Sequence, residues 1–214
     1  MTKFQKTFLY GVAVSVLAFT SASAESRDFD FDGFSRVGAS AGVNVEVTAG
    51  ADYSVRVESN DAGFGELKIT NKNGALNIGR NRANRSFGKR QSKISVYVTL
   101  PALNGVNASS GSDVDAKGID ADKFSVHVSS GADVSLAGEC SHLDAGVSSG
   151  SDLNGESLQC RTADVSASSG ADATVYASEK VDANASSGSD ITVYGRPENN
   201  SINKSSGGGV SIRN

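Results

Sequence analysis

One tripeptide, Ser-Ser-Gly, occurs six times in the second half of this 214-residue chain and constrains the fold more than any other feature. Successive copies are separated by 20, 19, 20, 18 and 19 residues. The glycines of the six copies are Gly111, Gly131, Gly150, Gly170, Gly188 and Gly207. A fixed period of about 20 residues is the sequence signature of stacked structural repeats.

Each repeat also carries the alternation of a β-strand. Apolar residues stand three and five positions before the glycine in the first five copies and three positions after it in all six, and polar residues stand between them. A repeat of this kind is a strand, a corner, a second strand and a second turn. One such unit cannot bury its apolar face alone, whereas parallel stacking at about 4.8 Å per rung completes a core from small residues.

We therefore predict an all-β fold, a right-handed parallel β-helix or β-solenoid with repeats of about 19 residues over residues 101–214. An antiparallel sandwich is the competing interpretation, but it does not require the same corner sequence every 19 residues. The sixth copy has Lys204 in an otherwise apolar column and a glycine triplet at the corner, so it is expected to be an atypical terminal rung.

The region 25–100 follows a less regular pattern. Short alternating stretches, such as Val43–Val47 and Ile94–Val98, predict four or five strands separated by Gly, Asn and Asp. We expect these strands to form the first, irregular coils or a small sheet that covers the open end of the solenoid. Residues 25–214 then form a single domain.

The first 24 residues have the features of a secretory signal peptide. Lys3 and Lys6 precede an apolar run that is shorter than the roughly 20 residues of a membrane-spanning helix, and Ala22-Ser23-Ala24 is a cleavage signal. We predict cleavage between Ala24 and Glu25, with a retained membrane anchor as the alternative. No later segment has the length and hydropathy of a transmembrane helix, so the predicted location is extracytoplasmic, either periplasmic or secreted to the cell surface.

Charge is distributed unevenly. Residues 101–195 contain 14 acidic and 4 basic residues, a net charge of −10 (4 minus 14), which opposes binding to nucleic acid. Residues 79–93 contain basic residues and no acid. This segment is a candidate contact for a polyanion, and a solvated loop is the alternative interpretation. Its basic residues are Arg80, Arg82, Arg85, Lys89, Arg90 and Lys93.

Five of the six corners carry an aspartate two residues after the glycine. Stacking would place these carboxylates in one column, where neighbours repel by about 0.9 kcal/mol even in water. Hydrogen bonds from backbone N–H groups and serine hydroxyls at each corner could offset this repulsion, and bound Ca²⁺ is the alternative. The column consists of Asp113, Asp133, Asp152, Asp172 and Asp190.

Few other residues suggest a chemical site. Cys140 and Cys160 lie one repeat apart, so we predict a disulfide in an oxidising compartment, with free thiols as the alternative.

His127 is expected on the outer face of a strand and His142 in a turn, both at the surface. Tyr176 and Tyr194 occupy equivalent positions and are expected to stack on each other. No catalytic or nucleotide-binding motif is present. We therefore predict a protein that is not an enzyme and has no cofactor.

Together, the signal peptide, the irregular β start, the step Val98–Pro101, the repeated corners and the closing Val193–Pro197 resemble the auto-transporter adhesin head GIN domain family. The resemblance covers roughly residues 34–212. It implies a β-helical, secreted or envelope-associated bacterial domain that acts in adhesion and has no established catalytic residues. We expect an unidentified envelope or surface partner, either glycan or protein. The alternative is an extracytoplasmic polysaccharide-binding protein or a degraded β-helical carbohydrate enzyme.

Overall fold

A computed structural model describes residues 25–59, 63–81 and 93–213. Within these ranges the regular structure is β-strand except for one short 3-10 helix, Gly63–Glu66. The N-terminal region contains β1 Glu25–Phe29, β2 Arg36–Ser40, β3 Asn44–Ala49, β4 Ser54–Ser59, β5 Leu67–Lys72, β6 Ala75–Arg80 and β7 Ile94–Leu100. The repeat region contains β8 Gly105–Ser109, β9 Asp113–Ser129, β10 Asp133–Ser148, β11 Asp152–Ser168, β12 Asp172–Ser186, β13 Asp190–Tyr194, β14 Asn199–Ser205 and β15 Gly209–Ile212.

The strands wind into a coil with two faces. One face, which we call sheet A, contains the strand segments that precede a corner and is extended by the hairpin β5–β6, in the order β5-β6-β2-β8-β9-β10-β11-β12-β14. Strands that follow a corner form sheet B, in the order β1-β4-β7-β3-β9-β10-β11-β12-β13-β15. The long strands β9 to β12 bend midway, so each contributes its first half to sheet B and its second half to sheet A.

Neighbouring rungs pair in parallel, and equivalent residues of the repeat lie opposite each other. Asp133, for example, pairs with Asp113 on one side and Asp152 on the other. A sandwich of antiparallel sheets would not give this pairing. The predicted β-solenoid is therefore confirmed.

The corners are built from two consecutive residues in the left-handed backbone region. The second serine of each copy has a φ between 48° and 60°, and the glycine that follows has a φ between 62° and 80°. The glycine N–H donates to the carbonyl of that serine in the next rung, as from Gly131 to Ser149 at 3.2 Å. This ladder of hydrogen bonds offsets the roughly 1–2 kcal/mol that a left-handed conformation costs a residue with a side chain.

A buried serine completes every second corner. Ser112, Ser151 and Ser189 stand between the glycine and the aspartate, and each is fully buried. The Ser151 hydroxyl lies 2.7 Å from the carbonyl oxygen of Ser148 in its own rung and 3.0 Å from that of Val128 in the preceding rung.

The corner aspartates do not take the role that we expected. In residues 93–213 their carboxylates accept no hydrogen bond from the N–H groups or hydroxyls of their own corners, and Asp172 Oδ1 instead accepts one from the backbone N of Asp190, at 3.3 Å. At every second corner, the serine one position earlier bonds to backbone carbonyls instead, because its side chain points inward.

The region before Pro101 contains one complete rung that the repeat search missed. Ala41 and Gly42 have φ values of 62° and 69°, and the Gly42 N–H donates to the Ser110 carbonyl at 3.1 Å, as in the later corners. Strands β2 and β3 on either side of this corner pair in parallel with β8 and β9. Residues 50–104 are therefore an insertion between the first and second rungs of the coil.

The insertion and β1 together cover the N-terminal end of the solenoid, as predicted. On sheet B, β7 extends the parallel pairing, and β4 and β1 add antiparallel strands beyond it. On sheet A, β6 pairs in parallel with β2, and the hairpin strand β5 closes the edge. An antiparallel edge of this kind ends the parallel ladder that the coil would otherwise expose.

The core lies between the two sheets and is made of small apolar side chains. Val, Ala, Leu and Ile from the rungs before β14 are buried, and Phe34 and Phe124 are the aromatic members within the described residues. The core ends at the terminal rung β14–β15, where Ile202 and Ile212 are more than a third exposed. Lys204 stands opposite Ala185 in the inward column, which confirms the atypical last rung.

The predicted disulfide forms between Cys140 and Cys160, which lie directly opposite each other in β10 and β11 with their Cα atoms 4.4 Å apart. Both cysteines are buried. The neighbours of the pair in the same column are Ala121 and Ala177.

Replacing Ser151 with Ala should lower the free energy of unfolding by about 1 kcal/mol, since the two carbonyls lose their hydroxyl partner. Ala132 and Ala171 fill the same buried column, so alanine fits without steric change. Urea titration with an unchanged m value measures the effect. Ser166→Ala, at an exposed hydroxyl in the strand that follows, is the control and should change little. Equal effects of the two substitutions would contradict this role of the buried serine.

The double variant Cys140→Ala/Cys160→Ala tests the cross-link without creating a foreign column, because alanine already occupies both flanking rungs. Loss of a disulfide that closes a loop of this length should lower the free energy of unfolding by about 3 kcal/mol. Urea titration with and without a reductant measures this. Reduction should destabilise the wild type and leave the double variant unchanged. If both thiols of the wild type are shown to be released and its free energy of unfolding does not change, the prediction is contradicted.

Candidate functional site

The aspartate column lies on sheet B beside the corners, with all five side chains exposed. The register places the carboxylates of successive rungs next to each other, as predicted. In the part of the chain that the structure describes, no group of three or more His, Cys, Asp or Glu side chains is arranged to hold a metal ion. The calcium hypothesis therefore has no support from side-chain geometry.

Sheet B is acidic beyond this column. Glu46, Asp115 and Glu58 lie on the same outer face. The Tyr97 hydroxyl donates to Glu58 Oε2 at 3.4 Å. Burial raises the pKa of Tyr97, and the negative charges of Glu58 and Glu46 raise it further.

Arg80 belongs to the fold and not to a polyanion site. Its guanidinium forms an ion pair with Glu66 at 3.0 Å and donates to the carbonyls of Ala41 and Gly42 at 3.1 and 3.3 Å. Only 9% of its side chain is exposed. Arg80 therefore ties the 3-10 helix to the first corner, and the predicted polyanion contact is wrong for this residue.

The other basic residues of the segment are mostly outside the described ranges. Lys93 is exposed. Arg82, Arg85, Lys89 and Arg90 lie outside the described residues, so the polyanion contact predicted for them stays a prediction.

The predicted cleavage site between Ala24 and Glu25 coincides with the start of the described residues. Ala24 is outside them, and Glu25 begins β1.

His142 lies within β10 and not in a turn. Its Nδ1 is 2.9 Å from Thr162 Oγ1, and its Nε2 is 3.6 Å from Asp164 Oδ2. The three residue types are those of a catalytic triad, but the Thr162 hydroxyl donates to the Ser141 carbonyl at 3.2 Å. Because that proton is already committed to a carbonyl, His142 does not act as a base toward it.

Tyr176 and Tyr194 pair in register as predicted, on neighbouring rungs of sheet B. They do not form a stacked ring pair. The ring contacts within the described residues are Phe29 with Phe31 and Phe34 with Tyr53. Sheet B therefore carries partly exposed tyrosines, including Tyr97, whose rings do not stack on one another.

Sheet A carries the feature that the sequence reasoning missed, a shallow groove that crosses nine strands. It consists of two adjoining concavities of about 600 and 480 Å³ that share His127 and Ser129 in their linings. The groove runs along the solenoid axis, perpendicular to the strands. Its floor includes the backbone of inward-facing residues such as Val128, Val147 and Ala167.

Two columns of outward side chains border the groove. One column, the serine ridge, is formed by Lys68, Gly79, Ser40, Ser109, Ser129, Ser148, Ser168, Ser186 and Ser205. The other, the amide ridge, is formed by Thr70, Asn77, Gly38, Asn107, His127, Gly146, Ser166, Asn184 and Asn203. The parallel register places each residue beside its equivalent in the next rung.

Glycine in the amide ridge makes room for a larger neighbour. A Cβ on Gly146 would lie 3.2 Å from Nδ1 of His127, and a Cβ on Gly38 would lie 2.8 Å from Oδ1 of Asn77. The imidazole therefore leans over the backbone of the next rung. Its Nδ1 lies 2.8 Å from the Val126 carbonyl oxygen, so Nδ1 carries the proton and Nε2 of the neutral ring is an acceptor.

Many hydroxyls along the groove have no protein partner. Those of Ser129, Ser148, Ser166 and Ser168 make no hydrogen bond to the residues that the structure describes. In contrast, the amides at the C-terminal end bond to each other, with Asn203 Nδ2 donating to Asn184 Oδ1 at 3.0 Å. The groove therefore presents a row of free hydroxyls beside a partly satisfied row of amides.

Asp152→Asn should stabilise the protein by a few tenths to about 1 kcal/mol at low salt and by less at high salt, because it removes a charge from the middle of the column. Asn154→Asp, two residues along the same strand, adds a charge and should have the opposite effect. Thermal unfolding at two salt concentrations measures both. Calcium should leave the wild-type midpoint unchanged. A calcium-dependent rise that Asp152→Asn abolishes would contradict the self-contained column and identify a metal site.

Comparison with known proteins places the chain in context. The family model described as "Putative auto-transporter adhesin, head GIN domain" matches residues 33–197. No curated protein matches the chain.

Several solved structures share the fold. A putative adhesin from Bacteroides fragilis superposes with a TM-score of 0.68 at 19% identity, over 90% of this chain and 98% of the other. A putative adhesin from Parabacteroides distasonis gives 0.54 at 13% identity, over 90% and 98%. A putative lipid binding protein from the same species gives 0.51 at 14% identity, over 89% and 97%. At these identities the likeness shows the fold alone, whereas the family match covers most of the sequence, and the chain belongs to the auto-transporter adhesin head GIN domain family.

Proposed function

We propose that this protein is a non-catalytic, adhesin-like domain that binds an extended partner along the groove of sheet A. The family and the names of two structural neighbours suggest adhesion. The observation that carries the proposal is the continuity of the groove, in which one border has a serine in each of seven successive rungs. A partner with a repeating structure can make the same contact at each step.

The proposed location is extracytoplasmic, either periplasmic or at the cell surface. The Cys140–Cys160 disulfide supports an oxidising compartment. Within the described residues, no helix is long and apolar enough to cross a membrane. The predicted signal peptide, which lies outside the described residues, provides the route in this proposal.

The side chains that border the groove favour a partner that forms hydrogen bonds, because hydroxyls and amides dominate both ridges. Much of the surface between the ridges is carbon, so the groove also offers apolar contact to such a partner. The lipid binding neighbour is only 14% identical to this chain, so its name is not carried over. Affinity would come from many modest contacts and from the rigidity of the coil, which limits the entropy lost on binding.

The test compares two substitutions in one strand. Ser166 and Asn154 are both exposed in β11, but Ser166 borders the groove on sheet A and Asn154 lies on sheet B. Ser166→Arg should weaken binding to bacterial envelope fragments or to mucin-coated surfaces by about tenfold or more, since the long side chain obstructs the groove. Asn154→Arg introduces the same charge on the other face and should bind as the wild type does.

Binding isotherms of the labelled, purified protein on both surfaces provide the measurement, and urea titration checks that both variants keep wild-type stability. Saturable binding that Ser166→Arg alone weakens supports the proposal. Two results would refute it: no saturable binding of the wild type to either surface, or equal binding by both variants.

A further inference from the structure

We propose that the partner of the groove is an uncharged polysaccharide chain lying along the solenoid axis. This inference rests on the proposed function and specifies the chemical class of its ligand. It derives from three properties of the groove: the charge of its lining, the hydrogen-bonding groups that the lining leaves free, and its length.

The lining contains no acidic residue, although the chain has 24 Asp and Glu and a net charge of −4. Its cations are confined to the two ends. Lys68 and Arg80 belong to the N-terminal end, where Arg80 is paired with Glu66, and Lys204 belongs to the terminal rung. In the middle of the groove, from β8 to β12, the lining itself therefore contains no carboxylate, Lys or Arg that would pair with a charged chain.

The flank of the groove also opposes an anionic chain. Asp144, Asp164 and Asp182 form a column two residues before the amide ridge, on the same outer face of sheet A. A polymer of uronic acids or sulfated sugars would pass alongside these carboxylates over three rungs. Because these carboxylates would repel the negative groups of an anionic chain, an uncharged chain fits this half of the groove better than an anionic chain does.

The free groups match the hydroxyls of a sugar chain. The serine hydroxyls can donate and accept, and His127, whose Nδ1 donates to the Val126 carbonyl, has its Nε2 available for a further hydrogen bond. Hydroxyl groups of a saccharide combine donor and acceptor in the same way, so each can pair with this lining without leaving a charge unpaired. His127 lies where the two concavities join and is the largest side chain in the middle of the groove.

The length of the groove suits a polymer. Nine strands at about 4.8 Å per step give a span of roughly 38 Å, open to solvent on its outer side. A free monosaccharide would contact only a few of the equivalent positions. A linear chain can contact all of them, and along the serine ridge it meets a hydroxyl at each of seven successive rungs.

Affinity electrophoresis tests the proposal. The purified wild-type protein is run in native gels that contain either a neutral polysaccharide (mannan, dextran or xyloglucan) or an anionic one (alginate or hyaluronan), each at low and high salt. At least one neutral polymer should retard the protein, equally at both salt concentrations, because no charge pairing is involved. His127→Ala should weaken the retarding interaction about tenfold or less, as expected for lost hydrogen bonds, and Ser166→Arg should abolish it.

Asn154→Ala and Asn154→Arg on sheet B are the matched controls and should run as the wild type does. Retardation only by the anionic polymers, lost at high salt, would overturn the proposal, and so would retardation by a neutral polymer that neither groove variant changes. No retardation by any polymer would also overturn it. If groove-dependent binding to envelope fragments or mucin persists in that case, the proposed function stands and only the ligand class is wrong.

Discussion

The hydrogen bond between successive corners is the interaction on which the rest of this structure depends. Each corner glycine donates its N–H to the carbonyl of a left-handed serine in the next rung, so the ladder continues through the turn instead of stopping at it. That geometry requires the same backbone conformation in every rung, which explains why the sequence repeats Ser-Gly at the corner and varies elsewhere. It also fixes the register. A shift of one residue would place an extended strand residue opposite a left-handed corner residue, and it would turn the apolar side chains outward.

A locked register converts sequence positions into columns with uniform chemistry. On sheet B the column after the corner is aspartate, and the surrounding residues make that face acidic. On sheet A the two columns before the corner are serine and a mixture of amides, glycine and histidine, and they border a groove without an acid. The two faces of one coil therefore present different surfaces to a partner, and the groove on sheet A has an uncharged lining in its middle. The proposed binding role follows from this division.

The repeated corner made the solenoid, the disulfide and the atypical last rung predictable from the sequence, because each depends only on the period. The first rung escaped notice because Ala41, Val43 and Asn44 replace the usual residues, while the backbone there is the same. Arg80 was misassigned because a basic run gives no sign that one guanidinium turns inward to two carbonyls. The buried serines were overlooked for a similar reason: Ser and Ala alternate at that position and look interchangeable until burial is known. The groove could not be predicted at all, since its lining joins residues from nine strands.

Parallel, in-register stacking is the central claim, and NMR contacts between backbone protons of neighbouring strands test it most directly. In a parallel solenoid, contacts across the repeat region join residues 17 to 20 positions apart, and this separation stays nearly constant from the start of each strand to its end, as from Asp133–Asp152 to Ser148–Ser168. An antiparallel arrangement would instead keep the sum of the two residue numbers constant while their separation changed. Contacts of that second kind between the repeats would contradict the solenoid, the columns and the groove together.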